Sequence, residues 1–157
     1  METQLLKKTV RNYTFISNFK DDFSYLRVIK YKGKYGFLDK YYEKVSPINY
    51  DFVGFFHEDH VQVSKKGKWG FVNKKGQEIC PIKYDRVFDF SNGIAIVSIN
   101  NKYGYLNKAG DEMCPIKYDY AKEFGNAGIV LLNGRWGFIS GNGEMITEIK
   151  YHDVYDF

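Results

Sequence analysis

The sharpest polar cluster in this sequence is a run of two histidines and two carboxylates, His57-Glu58-Asp59-His60. Imidazole and carboxylate groups are ligands for divalent transition metals. Two histidines three positions apart share a face on a helix, but no helical period surrounds this run. We therefore interpret the run as a solvated loop that holds no metal, and we keep His57 and His60 as candidate partner-contact residues. A metal-dependent enzyme centred on them is the least supported functional hypothesis.

Two cysteines, Cys80 and Cys114, stand at equivalent places in a repeating pattern, where other copies have Ser46 and Thr147. Small size is the property that these side chains share, so we predict that the cysteines are structural and buried. A disulfide between them would require Cα atoms within about 7 Å of each other. Free thiols agree with a reducing compartment.

A Tyr-Asp pair recurs as Tyr50-Asp51, Tyr84-Asp85 and Tyr118-Asp119. Such a pair could serve acid–base chemistry, but an active site is normally unique, whereas a structural device is repeated. We predict that each aspartate accepts backbone N–H bonds in a turn. No nucleophile elbow, phosphate-binding glycine loop or paired-cysteine metal motif is present. We therefore predict a protein that is not an enzyme and has no cofactor.

Lysines gather in the predicted turns, among them Lys65, Lys66, Lys74 and Lys75. Stacked copies would align these lysines along one edge. Charged turns discourage aggregation through sheet edges, and this is the simpler explanation. The same lysines could instead contact a phosphate backbone or an acidic protein, so they remain candidate partner-binding residues.

An apolar set occupies a strand face that is polar in the second copy of the pattern: Ile94, Ile96, Ile129 and Leu131. Either these side chains pack on a neighbouring repeat, or they form an exposed apolar patch that marks a partner site. The sequence leaves both alternatives open.

The totals are those of a globular chain: 157 residues, 44% hydrophobic, with a net charge of +4. This mild basic bias falls short of the concentrated patch of a dedicated nucleic-acid binder. The segment 1–10 lacks the apolar run of a secretory signal, and no stretch approaches membrane-spanning length. We expect a cytoplasmic protein with no membrane association.

Four copies of one pattern must position all these residues. The aromatic residues that precede a glycine, Tyr35, Trp69, Tyr103 and Trp136, lie 34, 34 and 33 positions apart, which is typical of a repeat architecture. Each copy has a β-branched segment, a tight turn such as Asn133-Gly134, the aromatic-Gly segment, a second turn and a third segment. Since no stretch has a helical period, we predict an all-β protein.

The predicted arrangement is a single domain, 1–157, of about four tandem ~34-residue repeats, each a three-stranded antiparallel meander. We place an N-terminal cap strand at about 9–19 and the repeats at about 20–56, 57–90, 91–124 and 125–157. Both ends carry the third segment, so neither must donate a strand to the other. This favours an open curved array over a small closed propeller-like ring.

Two local features carry their own predictions. A glycine in mid-strand weakens the strand, so we predict that Gly70 and its counterparts make room for an aromatic ring, with Tyr50, Tyr84, Tyr118 and Tyr151 as candidates. In the first copy Tyr42 replaces the glycine of the second turn. A bulky residue resists the left-handed conformation, so we expect the loop 39–43 to be built differently.

The pattern resembles the WG-repeat, or KWG-repeat, family of bacterial proteins. The resemblance covers Thr9 to Phe157 and is carried by Lys68-Trp69-Gly70-Phe71-Val72-Asn73, Gly76, Pro81, Tyr84-Asp85 and the lead-in 90–97. It implies repeated short antiparallel strands used as a binding scaffold, and it carries over no catalytic residues. We expect a protein–protein interaction module that acts as an adaptor, accessory subunit or stoichiometric inhibitor. The alternative is a nucleic-acid- or glycan-binding module that uses the Lys-rich turns and exposed aromatics.

Overall fold

Short strands and tight turns make up the whole fold in a computed structural model, which describes residues 14–18, 26–125, 127–141, 144 and 147. The strands are β1 (Thr14–Asn18), β2 (Arg27–Tyr31), β3 (Lys34–Leu38), β4 (Phe52–His57), β5 (His60–Lys65), β6 (Lys68–Asn73), β7 (Arg86–Val87), β8 (Ile94–Ile99), β9 (Lys102–Asn107), β10 (Tyr120–Phe124), β11 (Ala127–Leu132) and β12 (Arg135–Ile139). The described residues include no helix that could cross a lipid bilayer. The all-β prediction is confirmed.

The strands form four three-stranded antiparallel sheets in chain order: β1-β2-β3, β4-β5-β6, β7-β8-β9 and β10-β11-β12. The second and third strands of every sheet are joined by a two-residue turn with positive φ at both positions, for example Asn133 (52°) and Gly134 (75°). This is the type I′ turn that the sequence predicts. No strand pairing joins the first sheet to the last in the described part of the chain, so the tandem array is open, as predicted.

The sheets are offset from the sequence repeats by one segment, so the first strand of a sheet comes from the end of the third segment of the preceding repeat. In the first three repeats the third segment pairs with the aromatic-Gly strand at its tyrosine, as in the bridge between Trp69 and Tyr84. The residues immediately after that tyrosine then pair forward, so that β7 lies beside β8 of the next sheet. The first strand, β1, likewise pairs with β2 inside the first sheet.

In the described part of the chain, three hydrophobic cores lie between consecutive sheets. One core joins residues of the first and second sheets, one joins the second and third, and one joins the third and fourth. Strand β8 contributes to two of these cores, because Ala95 and Val97 pack towards the second sheet while Ile94 and Ile96 pack towards the fourth. When a strand is covered on both faces, its sequence is a continuous run of apolar residues instead of an alternation of apolar and polar ones.

The prediction that an aromatic ring fills the space above the mid-strand glycine is wrong. A Cβ atom on Gly70 would lie 3.1 Å from Cγ1 and 3.3 Å from Cα of Ile82. On Gly36 it would lie 2.8 Å and 3.0 Å from the same atoms of Ile48. The glycine therefore makes room for the isoleucine of the following Pro-Ile segment, both its backbone and its Cγ1 atom. The ring of Tyr84 lies instead in the core between the second and third sheets. Tyr151 lies outside the described residues.

The prediction that the first-copy loop is built differently is also wrong. Tyr42 adopts a φ of 66°, close to the 80° of Gly76 in the second copy. Its amide donates to the carbonyl of Asp39 at 3.1 Å, as the amide of Gly76 donates to that of Asn73 at 3.0 Å. The guanidinium of Arg27 lies 4.2 Å from the centroid of the Tyr42 ring, a contact that offsets part of the steric cost.

Candidate interaction surface

The repeated aspartates hold turns, as predicted. Asp85 accepts the backbone N–H of Asn100 at 2.7 Å on Oδ2 and the ammonium of Lys68 on Oδ1. The Lys68 hydrogen bond and then the Asn100 amide lower the pKa of the Asp85 carboxyl. Asp51 and Asp119 make the same two kinds of bond. In the first three repeats, the lysine that opens the aromatic-Gly strand therefore pairs with an aspartate that caps the type I′ turn of the following sheet.

The tyrosine hydroxyls link consecutive repeats, which the sequence analysis missed. Tyr50 donates to the carboxylate of Glu78 at 2.8 Å, and Tyr84 donates to that of Glu112 at 3.0 Å. Both donors and both acceptors are 34 positions apart, which is the signal that could have revealed the pairing. Burial, together with the carboxylate bond, raises the pKa of Tyr50 and Tyr84 well above the usual range. These hydroxyls are therefore permanent donors.

The two cysteines are free and buried, as predicted, and the structure adds a reason for their position. The backbone N–H of Phe71 is hydrogen-bonded to the Cys80 sulfur, and burial raises the pKa of that thiol. In the first copy the hydroxyl of Ser46 accepts the N–H of Phe37 at 2.9 Å. The position therefore requires a small hydrogen-bond acceptor, and small size alone is an incomplete description.

The histidine run forms a hairpin, so its interpretation as a solvated loop is wrong in part. His57 ends β4, His60 begins β5, and Glu58 and Asp59 form a turn with φ of 47° and 68°. His60 is buried, and its ring nitrogens lie 2.7 Å and 3.0 Å from the carbonyl oxygens of Glu58 and Lys108. His57, Glu58 and Asp59 are exposed, so the run is a solvated tight turn, and only the burial of His60 departs from the prediction.

The two histidines have separate partners. Nε2 of the exposed His57 lies 3.3 Å from a carboxylate oxygen of Asp89, whereas both nitrogens of His60 face backbone carbonyls. Among the residues that the structure describes, no three His, Cys, Asp or Glu side chains come together as a possible metal site. The arrangement joins neighbouring sheets: the carboxylate of Glu58 accepts the Gly93 amide at 2.8 Å.

The candidate lysines lie at two opposite ends of the sheets, so the prediction of one common edge is wrong. Lys65 and Lys66 precede β6 at its type I′ turn, whereas Lys74 and Lys75 follow β6 at its other end. Lys74 forms an ion pair with Asp59 at 3.3 Å, while the ammonium of Lys65 lies 5.8 Å from the Tyr50 ring centroid. Strand β6 separates the two lysine pairs because it runs the length of the sheet.

The candidate apolar set lies mostly inside the protein. Ile94, Ile96 and Ile129 are buried, and Leu131 is half-buried. Since Ile94 and Ile96 face the fourth sheet, packing on a neighbouring repeat is the alternative that the structure supports for them. In this structure the three isoleucines are not accessible to a partner.

The most exposed aromatic side chain that the structure describes lies elsewhere, on the outer strand β4. Phe55 is 78% exposed and Phe52 is 48% exposed, and Phe52 packs edge-to-face on Trp69 with ring centroids 5.4 Å apart. We call Phe52–His57 the β4 edge. The sequence analysis missed Phe55, although one signal was available: the equivalent residues of the next two repeats are the carboxylates Asp89 and Glu123.

Comparison with known proteins gives one family match. A family model described as a WG-containing repeat matches residues 35–69, 69–103, 103–134 and 136–157. No curated protein sequence matches the chain.

Solved structures give distant matches only. They include Kluyveromyces lactis Hsv2 with loop 6CD replaced by a Gly-Ser linker (TM-score 0.44, 10% identity, 85% of this chain and 49% of that one). They also include the N-terminal domain of Nup159 (TM-score 0.41, 18% identity, 83% and 41%). The chain spans less than half the length of both structures, and similarities of this size say nothing about what it binds.

Proposed function

The chain belongs to the WG-containing repeat family, and from this premise we propose that it is a non-enzymatic, cytoplasmic protein-binding module that binds through the β4 edge. The module acts as an adaptor, an accessory subunit or a stoichiometric inhibitor of a larger protein. These roles share one physical requirement, which is a rigid scaffold with an exposed surface that gains free energy when a partner covers it.

The observation that carries the proposal is Phe55, which is 78% exposed on an edge strand. Full burial of such a side chain stabilises a complex by about 1.5–3 kcal/mol. Aromatic residues, phenylalanine among them, are also enriched in protein–protein interfaces relative to the rest of the surface. The next two copies of the repeat carry the carboxylates Asp89 and Glu123 at this position, so the fold itself does not require an aromatic residue there.

The chemistry of the remaining polar groups supports a scaffold. The groups whose pKa is shifted most, the buried tyrosines, use their hydroxyls to bind a carboxylate or backbone carbonyls. The aspartates with a lowered pKa hold turns, and the cysteines accept backbone N–H groups. Each device recurs from repeat to repeat, which is the behaviour of a structural element.

The proposal is tested with the tagged protein as bait in lysate of its native cells. Phe55→Glu installs a carboxylate, the group that Asp89 and Glu123 carry at this position in the next two repeats, so it should leave folding intact and remove the partner. Tyr41→Glu is the matched control, because Tyr41 is 64% exposed but lies on the turn after β3. Unfolding midpoints of all variants should agree within experimental error.

Two outcomes contradict the proposal. The first is retention of the partner by Phe55→Glu. The second is loss of binding with Lys66→Glu alone, together with a steep fall in affinity as salt is added, which is the signature of nucleic-acid binding.

A further inference from the structure

We propose that one end of the array binds single-stranded nucleic acid. The binding surface is a line of six side chains beside the type I′ turns, which we call the aromatic row: Phe52, Trp69, Arg86, Tyr103, Tyr120 and Trp136. This inference goes beyond the proposed function and does not rest on it, because protein binding is assigned to Phe55. Phe52 belongs to both surfaces, so the two sites are separated through Tyr120 and Phe55.

The register of the sheets places the six side chains at equivalent positions. In the second sheet Phe52 and Trp69 both pair with Ser64 of the middle strand. Directly paired residues of antiparallel strands project from the same face. The first residue of the outer strand therefore lies on the same face as the aromatic residue of the aromatic-Gly strand. The third and fourth sheets repeat this arrangement with Arg86-Ser98-Tyr103 and Tyr120-Leu131-Trp136.

The rings contact one another along the row. Within the second and fourth sheets, Phe52 lies edge-to-face on Trp69 with ring centroids 5.4 Å apart, and Tyr120 on Trp136 at 5.9 Å. The centroids of Tyr103 in the third sheet and Tyr120 in the fourth are 6.4 Å apart. The row therefore continues from one sheet to the next.

The aromatic row is accessible from solvent. Phe52 is 48% exposed and Tyr120 is 46% exposed. Arg86 is also exposed, and the other three rings are half-buried. Rings that their neighbours already hold in place lose little conformational entropy when a ligand stacks on them.

Cations surround the aromatic row. The basic residues at this end of the sheets that form no ion pair among the described residues are Lys32, Lys66, Arg86 and Arg135. The carboxylates at this end are Asp51, Asp85 and Asp119, and each is bonded to the lysine that opens an aromatic-Gly strand. The surface around the row is therefore positively charged, although the net charge of the whole chain is only +4.

An aromatic row among cations matches the two parts of a single nucleic-acid strand. Bases stack on aromatic rings and on guanidinium groups, while the cations attract the phosphates. A duplex keeps its base faces stacked inside, so it could use only the cations. An acidic peptide would also use the cations, but it has no succession of planar rings to cover the aromatic row.

Fluorescence anisotropy with labelled oligonucleotides tests the inference. Oligothymidylate and oligouridylate of about 12 nucleotides should both bind more tightly than a duplex of the same length, and comparing the two distinguishes DNA from RNA as the ligand. Both tryptophans of the chain belong to the aromatic row, so stacked bases should quench the intrinsic fluorescence. Affinity should fall as salt is added.

Two substitutions separate stacking from charge. Tyr120→Ala should weaken binding about fivefold or more at fixed salt and leave the salt dependence unchanged. Lys66→Gln should weaken binding and reduce the slope of log affinity against log salt by about one, because a phosphate contact is lost. The matched control is Phe88→Ala. Phe88 is also 46% exposed, but it follows β7 and its amide donates to Ile96 in the middle of β8, so its removal should leave binding unchanged.

Three outcomes overturn the inference. The first is a wild-type chain that binds neither single strand, and the second is tighter binding of the duplex. The third is an affinity that falls with salt and with Lys66→Gln while Tyr120→Ala binds like wild type and the tryptophans are not quenched. That pattern indicates general attraction of an anion, without stacking.

This inference and the proposed function fail separately. Phe55→Ala should keep the oligonucleotide affinity and lose the cellular protein partner, whereas Tyr120→Ala should do the reverse. A chain that binds no oligonucleotide but loses its protein partner in Phe55→Ala removes the nucleic-acid site and leaves the proposed function intact. Oligonucleotide binding that depends on Tyr120, combined with a protein partner that Phe55→Ala retains, supports the site and contradicts the proposed function.

Discussion

Replacing the glycine of the aromatic-Gly pair tests how consecutive segments pack. In Gly70→Ala the new methyl group would lie 3.1 Å from Cγ1 and 3.3 Å from Cα of Ile82. Both distances are a few tenths of an ångström shorter than ordinary carbon contacts, so the Pro-Ile segment must move. Overpacking of this kind costs about 1–3 kcal/mol, while restriction of the unfolded chain by alanine returns about 0.4–1 kcal/mol. The expected loss in the free energy of unfolding is therefore about 1–2 kcal/mol.

The same substitution in the first repeat should cost more. The methyl group of Gly36→Ala would lie 3.0 Å from both Cα of Ile48 and the carbonyl oxygen of Pro47. Backbone atoms cannot rotate away as a side chain can, so we expect a loss of about 2–3 kcal/mol, at the upper end of the overpacking range. Urea unfolding followed by tryptophan fluorescence and circular dichroism measures both values.

A double-mutant cycle identifies the contact. Ile82→Ala removes the nearer carbon, so Gly70→Ala should cost about 1 kcal/mol less in that background. The control is Gly67→Ala, which meets no atom within 4 Å and has a φ of 75°. It should lose about 1 kcal/mol through backbone strain alone and show no coupling to residue 82. A neutral Gly70→Ala, or a coupling energy of zero, would refute the packing explanation.

Three further predictions concern the recurring devices. Cys80→Ser should keep nearly wild-type stability, whereas Cys80→Ala should lose about 1–3 kcal/mol in urea unfolding, because the buried N–H of Phe71 loses its acceptor; equal stabilities would contradict that role. Because its folded pKa is lowered, Asp85 contributes stability above about pH 4, the ordinary aspartate range, and loses it as pH falls through the folded value. In Asp85→Asn the unfolding midpoint should therefore fall less steeply than in wild type as the pH is lowered. An unchanged pH dependence would contradict this role of Asp85. Gly110→Ala would place a methyl 1.9 Å from the carbonyl oxygen of Ile79 and should lower the melting temperature far more than Gly67→Ala, as differential scanning fluorimetry would show.

Local sequence patterns predicted the fold well because they act within a few residues. The Asn133-Gly134 turn needs positive φ at both positions, and that requirement is visible in the residues themselves. The repeat spacing, the all-β class and the role of the Tyr-Asp aspartates follow from the same kind of signal. Where the prediction rested on local sterics alone, as at Tyr42, it failed because the distant Arg27 stacks on the ring.

Contacts between segments were the part that sequence could not supply. Ile82 packs against Gly70 because the third segment crosses the aromatic-Gly strand before it passes to the next sheet after Tyr84. Nothing in the local sequence around Gly70 indicates that crossing. For the same reason Ile96 could not be assigned to a core or to a surface. The sequence alone could have pointed to Phe55, because its equivalents in the next two repeats, Asp89 and Glu123, are carboxylates. Its exposure can be recognised only when the sheet order makes β4 an outer strand.

The step from one sheet to the next has a mechanical consequence. Tyr84 bridges Trp69 of the second sheet, and the very next residue, Asp85, caps a turn of the third. No residue separates these two attachments, so the chain between them cannot extend. A force applied along the chain would pass directly from sheet to sheet through short, doubly anchored steps, so the four sheets should yield together instead of peeling apart one at a time.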